Sequence, residues 1–453
     1  MLNSDGDLAT AHRLLVGAIE EGDHGFDAED PALVDALHFL LLLCNYGARE
    51  ELWAPFHATV ARLRPAPPPL LLVAARTWGD PAHADAATLR ELDEIIAGTT
   101  HETDPARIVR VGTAAVYPDR LAAVREVAWR LVRQGRDGGA VRRHIGALLH
   151  LCLEDYHRGK WASVLELSEE GLTQCAKSGY SVCTWFFQYT KGLVTASRGD
   201  TETAHALAEA MISWAAPRGI RQAVHCALHV HALANIADGD FDAAYGKLTA
   251  ISPAGSFPPY IAHASWVFFE LVEAAVRTDR RAEAVAHVRA LREETTIAGL
   301  SPRLAVLADA AFARALAAVD AEQWPFTVAR VRLAQGERLR RSRALSDSKA
   351  PLTAALETFE QLESTGWAER ARKELRAAGR IVPRDEAGTG VALTAQEREI
   401  AELAATGLTN KQIAERLFIS HRTVGAHLYQ IYPKLGIASR VALRDALRRQ
   451  DTA

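Results

Sequence analysis

Cysteine, long apolar runs and strand-like alternation are all scarce in this chain of 453 residues. Five cysteines, an odd number with no C-x-x-C pair, argue against a disulfide framework and indicate buried, reduced thiols. The longest apolar runs fall far short of the roughly 20 residues that a membrane span needs. No secretory signal pattern opens the sequence, so we expect a cytoplasmic protein without membrane contact. Because alanine dominates and strand patterns are few, the predicted fold class is all-α.

Recognisable catalytic chemistry is missing as well. No Ser-His-Asp, Cys-His or paired-carboxylate arrangement stands out, and no G-x-x-x-x-G-K-S/T phosphate loop occurs. Four side chains that could bind zinc share one helical stretch, namely His225, Cys226, His229 and His231. Three ligands from a single helix give poor tetrahedral geometry, so helix packing is favoured over a metal site. We therefore predict no enzyme and no cofactor.

Length and charge distribution suggest more than one domain. A chain of this length is too long for one compact core, and 49% apolar with 24% charged residues is ordinary for a globular protein. Residues 391–453 carry nine basic and six acidic side chains, whereas the rest carries 43 and 50. An acidic body with a basic C-terminal segment suits a protein that contacts DNA at one end only.

The body contains a 40-residue repeat. Turn-like dipeptides begin at equal intervals, at Gly79, Asp119, Gly159, Gly199, Gly239 and Asp279. Five residues after each lies a small or β-branched apolar residue: Ala84, Val124, Val164, Ala204, Ala244 and Ala284. Each interval has room for two helices, longer than those of a tetratricopeptide (TPR) unit of ~34 residues. Residues 1–378 are therefore predicted to form a TPR-like helical-repeat superhelix with a sensor or interaction role.

Three further features of the body leave alternatives open. Two aromatic patches, Trp185 to Tyr189 and Trp266 to Phe269, favour core packing, although a concave face could use some of them to hold a peptide or small effector. A basic helix from Ala329 to Arg343 contains or adjoins acidic residues, which favours a solvated or salt-bridged face over a nucleic-acid contact. Residues 379–391, with three glycines and one proline, are predicted to be a linker.

Residues 392–453 show the clearest local pattern, which predicts four short helices. The spacing of Thr394 with Glu397, and of Thr409 with Gln412, is that of a capping box at a helix start. Ser420 and Ser439 are candidate caps for two more helices. Because a turn of about three residues joins the second and third helices, the segment is predicted to be a helix-turn-helix.

The third of these helices is predicted to have one buried and one outward face. Apolar residues recur at helical spacing and should face the core, at Val424, Leu428, Ile431 and Leu435. The outward side chains would meet base edges in a DNA major groove, and they are Arg422, Gly425, Ala426 and Tyr429. Candidates for phosphate contacts surround that face: Lys411, Arg422, Thr423, His427, Lys434 and Arg440.

The same residues closely resemble the DNA-binding domain of LuxR-type transcription regulators. The recurrent pattern T-x-x-E, N-K-x-I-A, S-x-x-T-V, H, I, K-L and S-R is complete between residues 394 and 440. The resemblance implies that the DNA backbone is anchored by Lys411, Thr423, His427 and Lys434, while positions 425, 426 and 429 face the bases. The family often has a basic residue at the position of Gly425, so this sequence departs from the pattern there. Glycine in a helix interior also lowers helix stability by about 1 kcal/mol relative to alanine.

The resemblance extends less specifically into the body. Two motifs precede the C-terminal domain. They are R-L-A-x-G-E-x-L-R-R, from Arg332 to Arg341, and W-A-E-R-A-R-x-E-L, from Trp367 to Leu375. This order is similar to the C-terminal half of large ATP-binding LuxR-family regulators, whose nucleotide-binding module has no counterpart here. Because the first repeat also lacks its first helix, we expect a fragment or a short paralogue.

Together these patterns predict a transcription regulator. The body is expected to receive a small-molecule or protein effector, and the tail to bind double-stranded DNA as a homodimer, since one small helix-turn-helix buries little surface. By family resemblance, the fourth helix, with Val441, Ala442 and Leu447, is the expected dimer surface. The alternative is a protein-interaction scaffold whose helix-turn-helix has lost DNA affinity, which Gly425 supports. Steep salt dependence of DNA binding would separate the two.

Overall fold

The computed structural model describes residues 6–293, 323–380 and 395–417, and then residues 424, 427–428, 431–432, 437, 440, 443–444 and 446–447. The chain divides into two compact units, residues 1–380 and 381–453. Throughout the described ranges the secondary structure is helical apart from one isolated bridge, which confirms the all-α prediction. No helix in these ranges is both long enough and apolar enough to cross a membrane.

The first unit is built from consecutive helical hairpins. Its N-terminal helices are α1 (Leu8–Glu21), α2 (Pro31–Gly47), α3 (Trp53–Arg62), α4 (Pro69–Ala74), α5 (Ala86–Ala97), α6 (Pro105–Ala114), α7 (Leu121–Arg136) and α8 (Val141–His157). The next are α9 (Trp161–Ser178), α10 (Thr184–Arg198), α11 (Thr201–Ala215), α12 (Arg221–Asp238), α13 (Phe241–Thr249), α14 (Phe268–Arg277) and α15 (Arg281–Glu293). After residue 322 follow α16 (Pro325–Arg341), α17 (Leu345–Gln361) and α18 (Thr365–Ala377).

The backbone confirms the 40-residue repeat. Five of the six predicted turn positions have positive φ, between 56° and 92°: Asp119, Gly159, Gly199, Gly239 and Asp279. The sixth, Gly79, instead ends a π turn that continues α4. The apolar residue five positions later is buried in all six repeats. The five turns with positive φ therefore reverse the chain, and the buried apolar residue that follows each packs the next helix against the core.

Inner and outer helices alternate along the superhelix. Consecutive even-numbered helices from α4 to α14 pack on one another as well as on their hairpin partners. The even-numbered helices therefore form one continuous inner layer. Because side chains of this layer point toward a common axis, residues far apart in sequence meet there.

The superhelix turns far enough for its N-terminal helices to meet α12 and the segment between α13 and α14. Helix α2 contacts α12. The Tyr260 ring stacks on Trp53 with centroids 4.7 Å apart, and the Tyr260 N–H donates to Asp80 at 3.2 Å. Deeper inside, Gln222 Nε2 donates to Tyr117 Oη at 2.8 Å across 105 residues. These contacts close the inner layer around a cavity.

The predicted basic helix corresponds to α16, and its arginines pair with acids inside the body. Arg330, 6% exposed, donates to both Glu270 and Glu273 of α14. Arg370 of α18 donates to Glu273 and Glu337. The salt-bridged interpretation of this helix is therefore confirmed.

The body ends at α18 and the residues just after it. The Arg380 N–H donates to the Leu375 carbonyl at 3.0 Å and closes the C-terminal end of α18. Residues 381–391 of the predicted linker lie outside the described ranges.

The clustered histidines of α12 are buried packing residues. His229 Nδ1 lies 3.0 Å from His263 Nε2, and His231 Nε2 lies 3.1 Å from Glu209 Oε1. In the described part of the chain, no group of three or more His, Cys, Asp or Glu residues has an arrangement that could hold a metal. All five cysteines are free thiols, and burial raises the pKa of Cys44 and Cys152 to about 12, which keeps both protonated and unreactive.

Candidate nucleic-acid interface

Two helices open the described part of the C-terminal unit, α19 (Ala395–Ala405) and α20 (Asn410–Leu417). The chain reverses at Gly407, whose φ of 96° suits a residue without a Cβ. Thr409 N–H then donates to Gln412 Oε1 at 2.8 Å, and Gln412 N–H donates to Thr409 Oγ1 at 3.4 Å. This reciprocal pair is the predicted capping box, and it fixes the start of α20.

The structure does not test the other three predicted caps. Thr394, Ser420 and Ser439 lie outside the described residues, and so does the side chain of Glu397. These three caps therefore stay predictions.

One apolar core holds the unit together. Val424, Leu428 and Ile431 are at most 4% exposed, and they pack with residues of α19 and α20 and of the C-terminal segment: Ile400, Ala401, Ala404, Ile413, Ala414, Leu443 and Leu447. Three of the four predicted core positions of the third helix are therefore confirmed, and Leu435 lies beyond the described positions. Burial of this stripe fixes the rotation of the helix about its own axis, because only one face of a helix with 3.6 residues per turn can be buried at that spacing.

Three of the nine predicted DNA-binding residues can be located. Lys411 is exposed on the first turn of α20. His427 is half-buried beside Leu428, and its Nδ1 has no hydrogen-bond partner within the described part of the chain. Arg440 is half-buried beside the turn that precedes α20. The other six lie outside the described positions, so their DNA contacts stay predictions: Arg422, Thr423, Gly425, Ala426, Tyr429 and Lys434.

Arg440 has a structural role that the sequence interpretation missed. Its Nη1 donates to Asn410 Oδ1 at 2.7 Å, and its Nη2 donates to the Leu408 carbonyl. The side chain thereby ties the C-terminal segment to the turn that precedes α20. Asn410 and Arg440 both belong to the recurrent family pattern, and this could have suggested that the two side chains are partners. Its predicted phosphate contact would have to share a guanidinium that already has two internal partners.

The proposed dimer surface needs one correction. Leu447 is 8% exposed and packs into the core of its own domain, so it cannot also form an apolar contact with a second copy. A helix at the end of a small domain must bury one face to be stable at all, and Leu447 lies on that face. Val441 and Ala442, which lie outside the described positions, are what remains of that prediction.

Comparison with known proteins agrees with this geometry. Residues 391–446 match the family described as bacterial regulatory proteins, luxR family (GerE). A Mycobacterium bovis protein named as an HTH-type transcriptional regulator, Mb0914c, is 44% identical over 97 residues, which are 21% of this chain and 10% of that protein. The transcriptional regulatory protein SgaR of Hyphomicrobium methylovorum is 47% identical over 62 residues, which are 13% of this chain and 29% of SgaR.

A third relative, a nitrate/nitrite response regulator homologue of Haemophilus influenzae, is 50% identical over 50 residues, or 11% of this chain and 24% of that protein. The chain therefore spans less than a third of the length of each of these relatives. Among solved structures, a Rap protein in complex with competence and sporulation factor matches 76% of this chain and 96% of its own, with 13% identity and a TM-score of 0.46.

The family match covers the capping box of α20 and the core formed by Val424, Leu428 and Ile431. Sequence and packing therefore agree over the same residues. The C-terminal unit of this chain is a LuxR-type helix-turn-helix domain.

Proposed function

We propose that this chain is a transcription regulator that binds specific duplex DNA through its C-terminal domain and receives a signal through its helical body. The observation that carries the proposal is the buried stripe of Val424, Leu428 and Ile431. With that face in the core, helical periodicity predicts that positions 425, 426 and 429 lie away from it. A helix with such a free face is what a helix-turn-helix inserts into the major groove.

Charge supports the same proposal. The tail has a surplus of three basic residues, and Lys411 is exposed on α20, the helix that precedes the predicted recognition helix. In a helix-turn-helix, this first helix crosses the DNA backbone, so a lysine on its first turn would contact a phosphate. Such contacts strengthen binding to every sequence alike, whereas the side chains at 425, 426 and 429 would set the sequence preference.

The proposed complex is a dimer on paired half-sites. A single domain of this size buries too little surface for a tight specific complex, and two-fold symmetric sites are the usual solution. The remaining candidates for the contact between copies are Val441 and Ala442 together with surfaces of the body.

Selection of bound sequences from random duplex DNA tests the proposal. The full chain would be used at low and at physiological salt. A two-fold symmetric enriched motif is expected, with affinity that falls steeply as salt rises, because phosphate contacts release counterions. Binding to the enriched site would then be measured for Lys411→Ala, with Lys177→Ala as the matched control, since Lys177 is an exposed lysine of the body.

The two lysine variants give the sharper result. Lys411→Ala should weaken binding to all sequences similarly and make the salt dependence shallower by about one unit of slope. Lys177→Ala should bind as the parent chain does. Absence of DNA binding at either salt would favour the protein-interaction scaffold, and unchanged affinity of Lys411→Ala would refute the docking described above.

A further inference from the structure

The cavity inside the superhelix is a candidate ligand site. Its volume is about 220 Å³, and its walls are formed by residues of α2, α4, α6, α8, α10 and α12 together with the segments between them. Most of its lining is apolar or aromatic, as in pockets that bind small organic molecules. Members of both predicted aromatic patches lie here, since Phe186, Tyr189 and Trp266 line the cavity while Trp185 and Phe187 are buried behind them.

The exposure of the lining residues separates a mouth from a floor. Arg142 is exposed, Arg143 is half-buried, and the Asp35 side chain is 63% exposed. Gln222 and Tyr117, by contrast, are 3% and 4% exposed. Charged groups therefore surround the entrance, and neutral polar groups lie at the inner end.

The mouth carries an excess of positive charge. Arg110, Arg142 and Arg143 line it, and the one acidic residue among the described lining residues is Asp35, which pairs with Arg110. Arg142 and Arg143 form no ion pair with any residue that the structure describes, and the Arg142 guanidinium lies 5.2 Å from the ring centre of Phe39. Two guanidiniums at this mouth therefore lack a counter-ion in direct contact.

The two buried histidines in the lining, His38 and His150, do not change that balance. Burial, and then the charge of Arg110, lower the pKa of His38 to about 3, and burial lowers the pKa of His150 to about 4. Both rings are therefore neutral at pH 7. Burial, and then repulsion by Arg142 and Arg110, also lower the pKa of Arg143, because the charges of Asp35 and Asp104 offset that repulsion only in part. An anion between these arginines would relieve the repulsion.

The floor presents a hydrogen-bond acceptor that is not used. Gln222 Nε2 donates to Tyr117 Oη at 2.8 Å, but the buried Gln222 Oε1 has no partner among the described residues. A buried polar atom without a hydrogen bond is destabilising, so native proteins rarely keep one unless water or a ligand satisfies it. A ligand that reaches the floor would satisfy Gln222 with an O–H or N–H donor.

We propose that this cavity binds a small organic anion. Its charged group would lie between Arg142 and Arg143, its aromatic or aliphatic part would lie along Phe186 and Trp266, and a hydroxyl or amide would donate to Gln222 Oε1. A carboxylate and a phosphate share this chemistry, since both accept hydrogen bonds from a guanidinium fork. The inference deepens the proposed function and rests on it in one respect, namely that the bound anion is the signal that the body receives.

Anilinonaphthalene sulfonate is a suitable first probe, because it joins an anionic group to an aromatic body with an N–H donor. Its fluorescence would be titrated with the full chain beside phenylnaphthylamine, which has the same rings and no charge. The anionic dye should bind more tightly than the neutral one. Equal affinity of both dyes, or preference for the neutral dye, would overturn the proposal, because the arginines would then contribute nothing.

Arginine variants locate the charge that is responsible. Arg143→Met should weaken binding of the anionic dye about ten-fold or more and leave the neutral dye unchanged. Arg143→Lys should restore part of the affinity, and Arg281→Gln is the matched control, because the Arg281 side chain is 86% exposed on α15. Since Arg143 is half-buried, the melting temperature of each variant would show that the fold persists. Undiminished binding of the anionic dye by a folded Arg143→Met chain would refute the site.

Displacement of the dye identifies the ligand class and separates this inference from the proposed function. Aromatic and aliphatic carboxylates would be compared with the corresponding phosphates, and Gln222→Leu should weaken those ligands that carry a donor. A displacing anion should then change the affinity of the chain for its selected DNA. Displacement without any change in DNA affinity would support the cavity site and contradict its role as the sensor. If instead the chain bound both dyes equally well but still bound its selected DNA, the cavity site would be refuted and the proposed DNA-binding function would remain.

Discussion

Two groups of arginines in the described part of the helical body have opposite surroundings. Arg277, Arg330 and Arg370 meet three glutamates, Glu270, Glu273 and Glu337, in contacts that leave each arginine paired. Of the three arginines at the cavity mouth, Arg110 pairs with Asp35, whereas Arg142 and Arg143 have no ion pair among the described residues. The first set is called the matched cluster below, and the second the unmatched cluster. Their difference lies in the count of carboxylates rather than in the arginines themselves.

The comparison shows how the surroundings of a charge indicate its role. A buried charge is tolerated when it is paired and hydrogen-bonded, and the matched cluster satisfies both conditions while it joins α14 to α16 and α18. The unmatched cluster lies at an opening, where water compensates the excess charge until an anion replaces it. The matched cluster therefore stabilises the packing of the helices, whereas the arginines of the unmatched cluster can bind an anionic ligand.

The largest expected effect comes from removing one charge of the matched cluster. Glu273→Gln keeps the shape of the side chain but leaves Arg330 and Arg370 with one carboxylate each, so the free energy of unfolding should fall by about 3 kcal/mol. Arg143→Gln in the unmatched cluster should change it by less than about 0.5 kcal/mol, because no direct ion pair is lost. Denaturant unfolding followed by circular dichroism measures both.

The comparison of the two clusters predicts that Glu273→Gln lowers the free energy of unfolding several times more than Arg143→Gln does. If Arg143→Gln were the more damaging substitution, Arg143 would have a structural partner that the contacts do not reveal, and the division into matched and unmatched clusters would fail. Lys177→Gln, on an exposed part of α9, gives the baseline for losing a surface charge.

The matched cluster also predicts a pH dependence. Burial raises the pKa of Glu273, but Arg370 and Arg330 outweigh it and hold the pKa at about 2, below the ordinary value of 4.5. Because the folded-state pKa is depressed, this stabilisation is fully present above about pH 5 and is lost as the pH falls from about 4.5 toward 2. The loss is on the order of 3 kcal/mol. Other carboxylates titrate in the same range, so the measurement is the difference between the parent chain and Glu273→Gln, which should shrink toward pH 2.

The sequence allowed the fold to be predicted because the repeat is local. Asp119 and Asp279 lie at turn positions with positive φ, and the small residue five positions later is buried each time, since both features depend on neighbours within one hairpin. In the tail, the box of Thr409 with Gln412 and the stripe from Val424 to Ile431 are equally local.

The candidate ligand site could not be predicted in the same way. Arg110 and Asp35 are 75 residues apart, and Gln222 and Tyr117 are 105 apart, so they meet only because the superhelix closes on itself. That closure depends on the accumulated twist of successive hairpins, which no single repeat encodes. The matched cluster illustrates the same limit, because an arginine-rich helix and a distant glutamate pair give no local sign that they are partners.

Two glycines test how tightly the wall of the cavity is packed. A Cβ at Gly112 would lie 2.3 Å from His150 Nδ1, whereas a Cβ at Gly246 in α13 would have nothing within 4 Å. Gly112→Ala should therefore lower the free energy of unfolding by about 1–3 kcal/mol, because His150 must shift toward the cavity. Gly246→Ala should raise it by about 0.5–1 kcal/mol, since alanine is the better helix former. Equal effects would mean that the cavity wall yields freely, and the site would then be poorly preorganised.

Gly112→Ala also bears on the ligand. A displaced His150 would occupy part of the space beside the unmatched cluster, so the anionic dye should bind more weakly while Gly246→Ala binds as before. Unchanged binding in Gly112→Ala would show that the ligand does not reach this wall.

The smallest expected effect concerns a third arrangement of arginine, in the tail. Among the residues that the structure describes in the tail, Arg440 donates to two neutral acceptors, Asn410 Oδ1 and the Leu408 carbonyl. Arg440→Met keeps the aliphatic stem and removes both hydrogen bonds, which should cost about 1–2 kcal/mol and speed hydrogen exchange at the start of α20. Lys411→Ala should leave that exchange unchanged, because Lys411 is exposed.

DNA binding then separates the two roles of Arg440. If the guanidinium acts only within the domain, raising the stability of the tail elsewhere should restore the DNA affinity of Arg440→Met, and the salt dependence should match that of the parent chain. If it also contacts a phosphate, the salt dependence should become shallower and stabilisation should not restore the affinity. Both acceptors that the described residues offer Arg440 are neutral, so these hydrogen bonds do not cancel its positive charge, and by the reasoning applied to the cavity mouth that charge remains available to an anion.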